Sequence, residues 1–410
     1  MRIVPVSGAP ERWGSHGPAG RAGRDTGVVE TAPVGSDGAI AQAGEVRSRA
    51  IESLRALAAL AVVEGHIFGV SRHYGPGIYA TFFSRARLAG GFGVYLFFPL
   101  TGFLLFRPFA QRYFGDGRPI RLGRYAANRA VRILPLYYVV LIVYLLAFDH
   151  GGSFTTWWRS ALMLENFFPQ TLNHVDGVVW SLVVEVQFYI LLPFLAAGLA
   201  RLARGSIYRC MGLVLILGAL AEVVRLVTVT WVHNADVRWQ YSLPSTFVFF
   251  TAGLLLALVQ VAWAGRRPSW LRGVLLRSDL WCAGGIVLWA IVAYSYNLDI
   301  LLVPAALLII GAVSLPLQPG LSTRFLRWKP IAALGVASYS LYLWHFPLVQ
   351  HIGAASWAPS NYLVLIILLV PLSCVVAGIS YAVVEAPFLR LRRSWTANRP
   401  SVEPNSHASG

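Results

Sequence analysis

Apolar runs of about bilayer-spanning length recur along this chain, near residues 51–70, 91–107, 131–148, 179–198, 210–231, 243–264, 279–296, 299–316, 332–353 and 361–384. A helix needs roughly 20 apolar residues to cross a hydrocarbon core of about 30 Å, and repeated runs of that length leave one fold class. The spacing predicts an all-α polytopic membrane protein with about ten transmembrane helices, the short 299–316 run fitting least well. Composition agrees: 56% of the 410 residues are hydrophobic and only 13% charged, too apolar for a soluble surface. The lipid bilayer is the first partner this implies, and the cell membrane the location.

The formal charge of +16 is read through its distribution. Arg107, Arg112, Arg118, Arg121, Arg124, Arg129 and Arg132 lie between the second and third runs, and Arg201, Arg204 and Arg209 follow the fourth. Arg266, Arg267, Arg272 and Arg277, then Arg324, Arg327 and Lys329, then Arg390, Arg392 and Arg393 fall in gaps of the same parity. Such alternation is the positive-inside pattern, not a nucleic-acid surface, and it places both termini in the cytoplasm. Arg72, Arg85 and Arg87 weaken the contrast on the other side.

Three segments follow: a disordered N-terminal tail over 1–46, a membrane-embedded domain over 47–394, and a loose C-terminal tail over 395–410. The N-terminal tail is rich in Gly, Ala, Ser and Pro and has no apolar signal-peptide core. An over-extended start in a GC-rich gene explains it equally well, since Lys329 is the only lysine. Cys210, Cys282 and Cys374 lack metal-ligand or disulfide spacing and read as small buried hydrophobes, so no metal is expected. Phosphate loops, nucleophile elbows and HExxH motifs are absent, so an enzyme built on this chain works inside the membrane.

Four constellations carry polar chemistry within the apolar runs. Arg55 and His66, eleven residues apart in IESLRALAALAVVEGHIFGV, share one helix face about 16 Å apart, with Ala58, Ala59 and Val62 between them. A slim chain would lie along that stripe, with Arg55 suiting an anion and His66 proton abstraction; the plainer reading has Arg55 snorkelling and His66 bonded to a carbonyl. Arg129 and Arg132, at i and i+3, serve topology or clamp phosphate bidentately. Glu185 lies about two turns into the fourth run with Ser181 on its face; a carboxylate there orients His66, accepts from a sugar hydroxyl, carries protons or makes a structural bond. His345, with Tyr339 and Ser338, lines a polar cavity or belongs to an aromatic belt. Glu222 and Arg225 neutralise each other, and Glu385 faces an ion pair near the Arg-rich side.

Taken in order, these blocks resemble the acyltransferase-3 family of integral-membrane O-acyltransferases from about Arg47 to Arg393. The matching segments are IESLRALAALAVVEGH with its Arg-x10-His spacing, GVYLFFPLTGFLLFRPF (93–109), the Arg-x-x-Arg of Arg129 and Arg132, WSLVVEVQFY (180–189), SYSLYLWHFPL (338–348) and SYAVVEAPFLRL (380–391). Departures stand at Glu52-Ser53 where Asp-Gly is usual, Tyr95 where an Asp is common, Pro99-Leu100-Thr101 in place of Val-Leu-Ser, and Ala386 in place of a basic residue.

The resemblance implies transfer of an acyl group, often acetyl, from cytoplasmic acyl-CoA to a hydroxyl of a carbohydrate or glycosylated small molecule. It makes acyl-CoA a co-substrate, with no tightly bound cofactor. Arg55, Arg129 and Arg132 would hold its phosphates, His66 would be the general base, and Glu185 an acceptor-side or orienting carboxylate. His345, Tyr339 and Ser181 would line the acceptor cavity. A partner protein would complete transfer where the acceptor requires it. A proton-coupled transporter or exporter is the rival, since intramembrane His, Glu and Arg mark such pathways too.

Overall fold

The computed structural model describes residues 36–73, 93–149, 151–172, 176–232, 236–264, 268–295 and 298–397. Met1–Gln42 is a unit apart from Ala43–Gly410, and the bundle belongs to the latter. The tails expected over 1–46 and 395–410 lie largely outside the described residues, as do Arg85 and Arg87.

Every one of the ten apolar runs is helical. They are α1 (Ser36–Val70), α2 (Val94–Phe114), α3 (Leu122–Ala147), α5 (Val179–Ala203), α6 (Ile207–Val227), α7 (Leu243–Ala262), α8 (Ser278–Ser295), α9 (Leu302–Ser314), the pair α11 (Lys329–Val336) and α12 (Ser338–Leu348), and α13 (Tyr362–Ser380). Between them come the short α4 (Phe154–Ala161) and α10 (Leu321–Leu326), and α14 (Ala386–Ala397) follows α13. Among the described residues there is no strand, only isolated bridges such as His73 with Asn361. Among the described residues, eight helices are long and apolar enough to cross a membrane, or nine when α11 and α12 count as one bent span. The apolar helix Asp299–Ser314, which contains α9, is shorter, yet it returns alongside α8: Ser278 N–H donates to the Gln318 carbonyl at 3.0 Å, so the start of α8 and the end of α9 lie at one level.

Outward faces are apolar, with Ile190, Phe194 and Ile367 at least 66% exposed, as lipid-facing positions require. The interior is aromatic: Phe250 stacks between Phe98 and Phe188, with ring centroids 4.8 and 4.1 Å away. Two glycines let α2 and α7 approach backbone to backbone. A Cβ on Gly253 would lie 2.1 Å from the Pro99 carbonyl oxygen, and one on Gly102 would lie 2.7 Å from that of Phe250. Contacts of 98 with 180, 101 with 185, and 99–103 with 250–254 make α2, α5 and α7 run in the same direction, as alternate crossings must.

The break between α11 and α12 bends that span by 72° at Ala337. It is held there because α11 presses on α1: a Cβ on Gly335 would meet the Glu52 carbonyl oxygen at 1.8 Å. The bend makes Ser338 the first residue of α12 and sets it beside Arg55.

Candidate active site

Arg55 projects from α1 into the bundle interior. Its Nε donates to Ser338 Oγ at 3.2 Å and lies 3.5 Å from Glu52 Oε2 one turn earlier, and its guanidinium stands 5.9 Å from the Phe97 ring centre. Beside it lies a small cavity of about 40 Å³ that Ser181, Glu185, Ser338, Tyr339 and Tyr342 also line. A neighbouring cavity of about 40 Å³ shares Arg55, Leu182, Glu185 and Tyr339 and adds Arg129, Arg132, Thr101 and Tyr189. Six of the eight residues picked out from the sequence thus meet around two adjoining spaces.

Glu185 is fixed from both sides. Thr101 Oγ1 donates to its Oε1 at 2.9 Å and the Tyr189 hydroxyl to its Oε2 at 2.7 Å. The Tyr189 bond follows from i, i+4 neighbourhood on α5, whereas Thr101 arrives through the packing of α2 on α5. Tyr339 donates its hydroxyl proton to the Ile133 carbonyl at 2.9 Å, and Ser181 Oγ is 2.7 Å from the Tyr342 hydroxyl. Arg129 Nε is buried and has no partner among the described residues.

His66 lines neither cavity. It stands further along α1, half-buried, with Nδ1 2.9 Å from the Val62 carbonyl oxygen and 3.2 Å from His345 Nε2. His345 is fully buried and its own Nδ1 is 3.1 Å from the Leu341 carbonyl. Carbonyls accept only, so both rings carry their proton on Nδ1, and His345 Nε2 offers its lone pair to His66 Nδ1–H. His66 Nε2 is then unprotonated and makes no hydrogen bond among the described residues. Tyr342 connects the two regions, lining the cavity while its ring centre lies 5.8 Å from that of His345. The edge of Phe346 packs on His66 and reaches Gly177, where a Cβ would meet its ring at 2.4 Å.

Three sequence-based expectations are corrected. His66 is oriented by His345 and the Val62 carbonyl, not by Glu185, because the fold draws Glu185 to Thr101 and Tyr189 instead. The stripe of Ala58, Ala59 and Val62 is no channel: all three are at most 3% exposed and sit in packed clusters, since α12 and α13 fill the space beside small residues. Glu385 accepts from Ser340 Oγ at 2.6 Å, where an ion pair with the Arg-rich side was expected. Glu222 and Arg225 do pair, at 2.6 and 2.7 Å, and Asp299 joins them at 2.5 Å.

Sequence reasoning missed Thr101, Tyr189, Tyr342 and the pairing of the two histidines. The single available signal was that each histidine falls within an apolar run with a helix carbonyl four residues before it. A larger cleft, about 770 Å³, lies elsewhere, at the ends of α2, α7 and α9 with Arg107, Gln260 and Ser314. Three helix C-termini meet there, and their partial negative charge suits an anion poorly. Among the described residues no cluster of three or more His, Cys, Asp or Glu is placed to hold a metal ion.

The family model described as an acyltransferase domain, acyltransferase-3, matches residues 48–382, which take in Arg55, His66, Arg129, Arg132, Glu185 and His345. The chain belongs to the acyltransferase-3 family. It is accordingly a multi-pass membrane protein of an O-acyltransferase family, which speaks against the transporter alternative. The chain is similar to the O-acetyltransferase OatA of Staphylococcus aureus, with 24% identity over 328 residues, 73% of this chain and 53% of the relative. It is 27% identical to the putative peptidoglycan O-acetyltransferase YrhL of Bacillus subtilis over 82% of this chain and 54% of the relative. Against the peptidoglycan O-acetyltransferase OatA of Listeria monocytogenes the figures are 25%, 82% and 55%. The chain therefore spans about half the length of the curated relatives it matches. No solved structure matches it.

Proposed function

We propose that this protein moves an acetyl group from acetyl-CoA, bound from the Arg-rich cytoplasmic side, to a hydroxyl of a carbohydrate acceptor. The observation that carries the reading is the convergence of Arg55, Arg129, Arg132 and Glu185 on adjoining cavities, with a free imidazole nitrogen nearby on the same helix as Arg55. Guanidinium groups bind phosphate oxygens in bidentate fashion, and the unpartnered Arg129 Nε has that valence to give. Both termini lie on the cytoplasmic side in this scheme.

The reaction is a direct displacement at the thioester. The acceptor hydroxyl gives its proton to His66 Nε2 as its oxygen attacks the acyl carbon; the bond to sulfur breaks, and the proton leaves on the CoA thiolate. His345 is a positioning residue, since its lone pair holds His66 Nδ1–H and stabilises the imidazolium that forms. Glu185 receives an acceptor hydroxyl or fixes Thr101 and Tyr189 around it. The names of two relatives specify peptidoglycan, and a cell-wall glycan is the acceptor we favour, with a partner protein completing transfer where the acceptor lies beyond reach.

The test uses the full chain in lipid nanodiscs with radiolabelled acetyl-CoA and a cell-wall glycan. Transfer of label to the glycan is expected, with base-labile ester linkage. In His345→Ala the pH–rate profile shifts because His66 has lost its acceptor, and His345→Gln restores part of the rate. A folded wild type that neither binds nor consumes acetyl-CoA overturns the reading.

A further inference from the structure

A further cavity, of about 270 Å³ and mostly apolar with a few polar groups on its wall, lies at the end of the bundle opposite Arg107, where α5 and α7 begin. Asn166, Phe167, Gln187, Arg238 and Trp239 line it, and neither the donor nor the base just described uses any of them. We propose that it is a subsite for the acceptor glycan, one that recognises a sugar through its acetamido group. The inference rests on the acyl-transfer reading for its role, and on its own geometry for its ligand.

Asn166 supplies the strongest observation. It is 6% exposed, and its Nδ2 donates to the Trp180 carbonyl at 2.9 Å and the Tyr241 carbonyl at 2.8 Å. Both amide hydrogens are committed, so the direction of Oδ1 is fixed. That oxygen is buried and has no partner among the described residues, a state that costs stability unless a donor arrives. Gln187 lines the same cavity; its side-chain amide makes no hydrogen bond among the described residues and offers both a donor and an acceptor. An acetamido group has the matching pair, an N–H for Asn166 Oδ1 and a carbonyl for Gln187.

Charge and shape narrow the class further. Arg238 spends Nε on both oxygens of Asp236, at 2.9 and 2.8 Å, and its NH1 on the Phe167 carbonyl at 2.7 Å. The pair is self-neutralised and ties the turn at Val237–Trp239 to Phe167, so the site favours a neutral ligand over a phosphate. Trp239 and Phe167 remain 52% and 54% exposed, a rigid apolar face against which the C–H side of a pyranose ring packs. Trp180, whose carbonyl Asn166 holds, packs its ring 6.2 Å from Phe98, a residue of the Arg55–Glu185 cavity. One aromatic layer separates the subsite from the proposed reaction space.

The full chain in nanodiscs, free of glycoside detergent, is tested by saturation-transfer NMR with the β-1,4 tetramer of N-acetylglucosamine, and with cellotetraose as the sugar lacking the acetamido group. Saturation of the acetamido methyl protons is expected, with cellotetraose bound at least ten-fold more weakly. Trp239→Ala and Gln187→Ala each lower tetramer affinity at least ten-fold, while Trp239→Phe keeps most of it and reports on folding. Equal binding of the two sugars overturns the acetamido assignment. No binding to the wild type, or unaltered binding in both alanine variants with Trp239 serving only as an interfacial anchor, overturns the subsite. Acetyl-CoA consumption by the wild type is followed alongside: its absence with glycan binding intact sinks the transfer reading and leaves the subsite standing.

Discussion

Two arginines lie in the apolar interior of this protein and are treated in opposite ways. Arg225 on α6 is saturated: Nε and NH2 grip Glu222 and NH1 grips Asp299, so a buried cation meets two carboxylates. Arg55 on α1 has one neutral hydroxyl, one carboxylate at 3.5 Å, and open cavity beside it, and Arg129 on the same cavity has an Nε with no partner among the described residues. Burying a charge is expensive, and a fold that spends two carboxylates on one cation while leaving others short of partners reserves the latter for something that arrives later. Spare hydrogen-bonding valence, more than charge itself, separates the site from the scaffold.

That contrast breaks first at the base. His66→Ala should lower acetyl transfer about 1000-fold, the middle of the range for general-base catalysis, with donor affinity unchanged in a direct binding assay. A loss of donor affinity instead would move His66 to the binding side. On the scaffold side, Arg225→Ala leaves Glu222 and Asp299 side by side and partly buried without their cation. It should cost about 3–5 kcal/mol of stability, read as a lower midpoint of thermal unfolding, while activity per folded molecule persists. If the midpoint holds and turnover falls, Arg225 belongs to the site and the comparison collapses.

A buried carboxylate with no cation at all sharpens the same point. Glu165, in the turn between α4 and α5, is 3% exposed, and burial pushes its carboxyl up to about 7 despite a hydroxyl bond from Tyr137. The fold favours its protonated form. Its contribution is complete below the ordinary value of 4.5, and is lost as pH rises through about 7. Glu165→Gln should therefore remove a decline of about 3 kcal/mol between those limits, at 1.36 kcal/mol per unit. Unfolding midpoints across pH 4 to 8 test it, and an unchanged slope would mean that Glu165 is ionised in the folded protein. The smallest effect is expected for Arg129→Ala: about a ten-fold rise in the KM for acetyl-CoA, roughly 1.4 kcal/mol, with kcat nearly unchanged. A matching loss in Arg225→Ala would erase the distinction between spare and saturated valence.

Much of this was legible in the chain itself. Ten apolar runs gave ten helices, because in lipid the backbone has almost no other way to satisfy its hydrogen bonds, and the Arg-rich gaps alternate as crossings do. Arg55, Arg129, Arg132 and Glu185 stand out in sequence because ionisable groups are rare in such runs. Spacing alone failed where contacts are long-range. It left several roles open for Glu185, among them orienting His66, and it could not pair His66 with His345.

By itself, the sequence determined the fold class, the family, and which charged residues are anomalous, since local periodicity and apolarity suffice for these. Only the tertiary structure decided which of those residues have their valence filled. His66 meets His345 across 279 positions and Arg55 meets Ser338 across 283, and both encounters depend on a 72° break and on glycines that let helices close on one another. Distances of that kind are set by packing, and no pattern within a single helix encodes them.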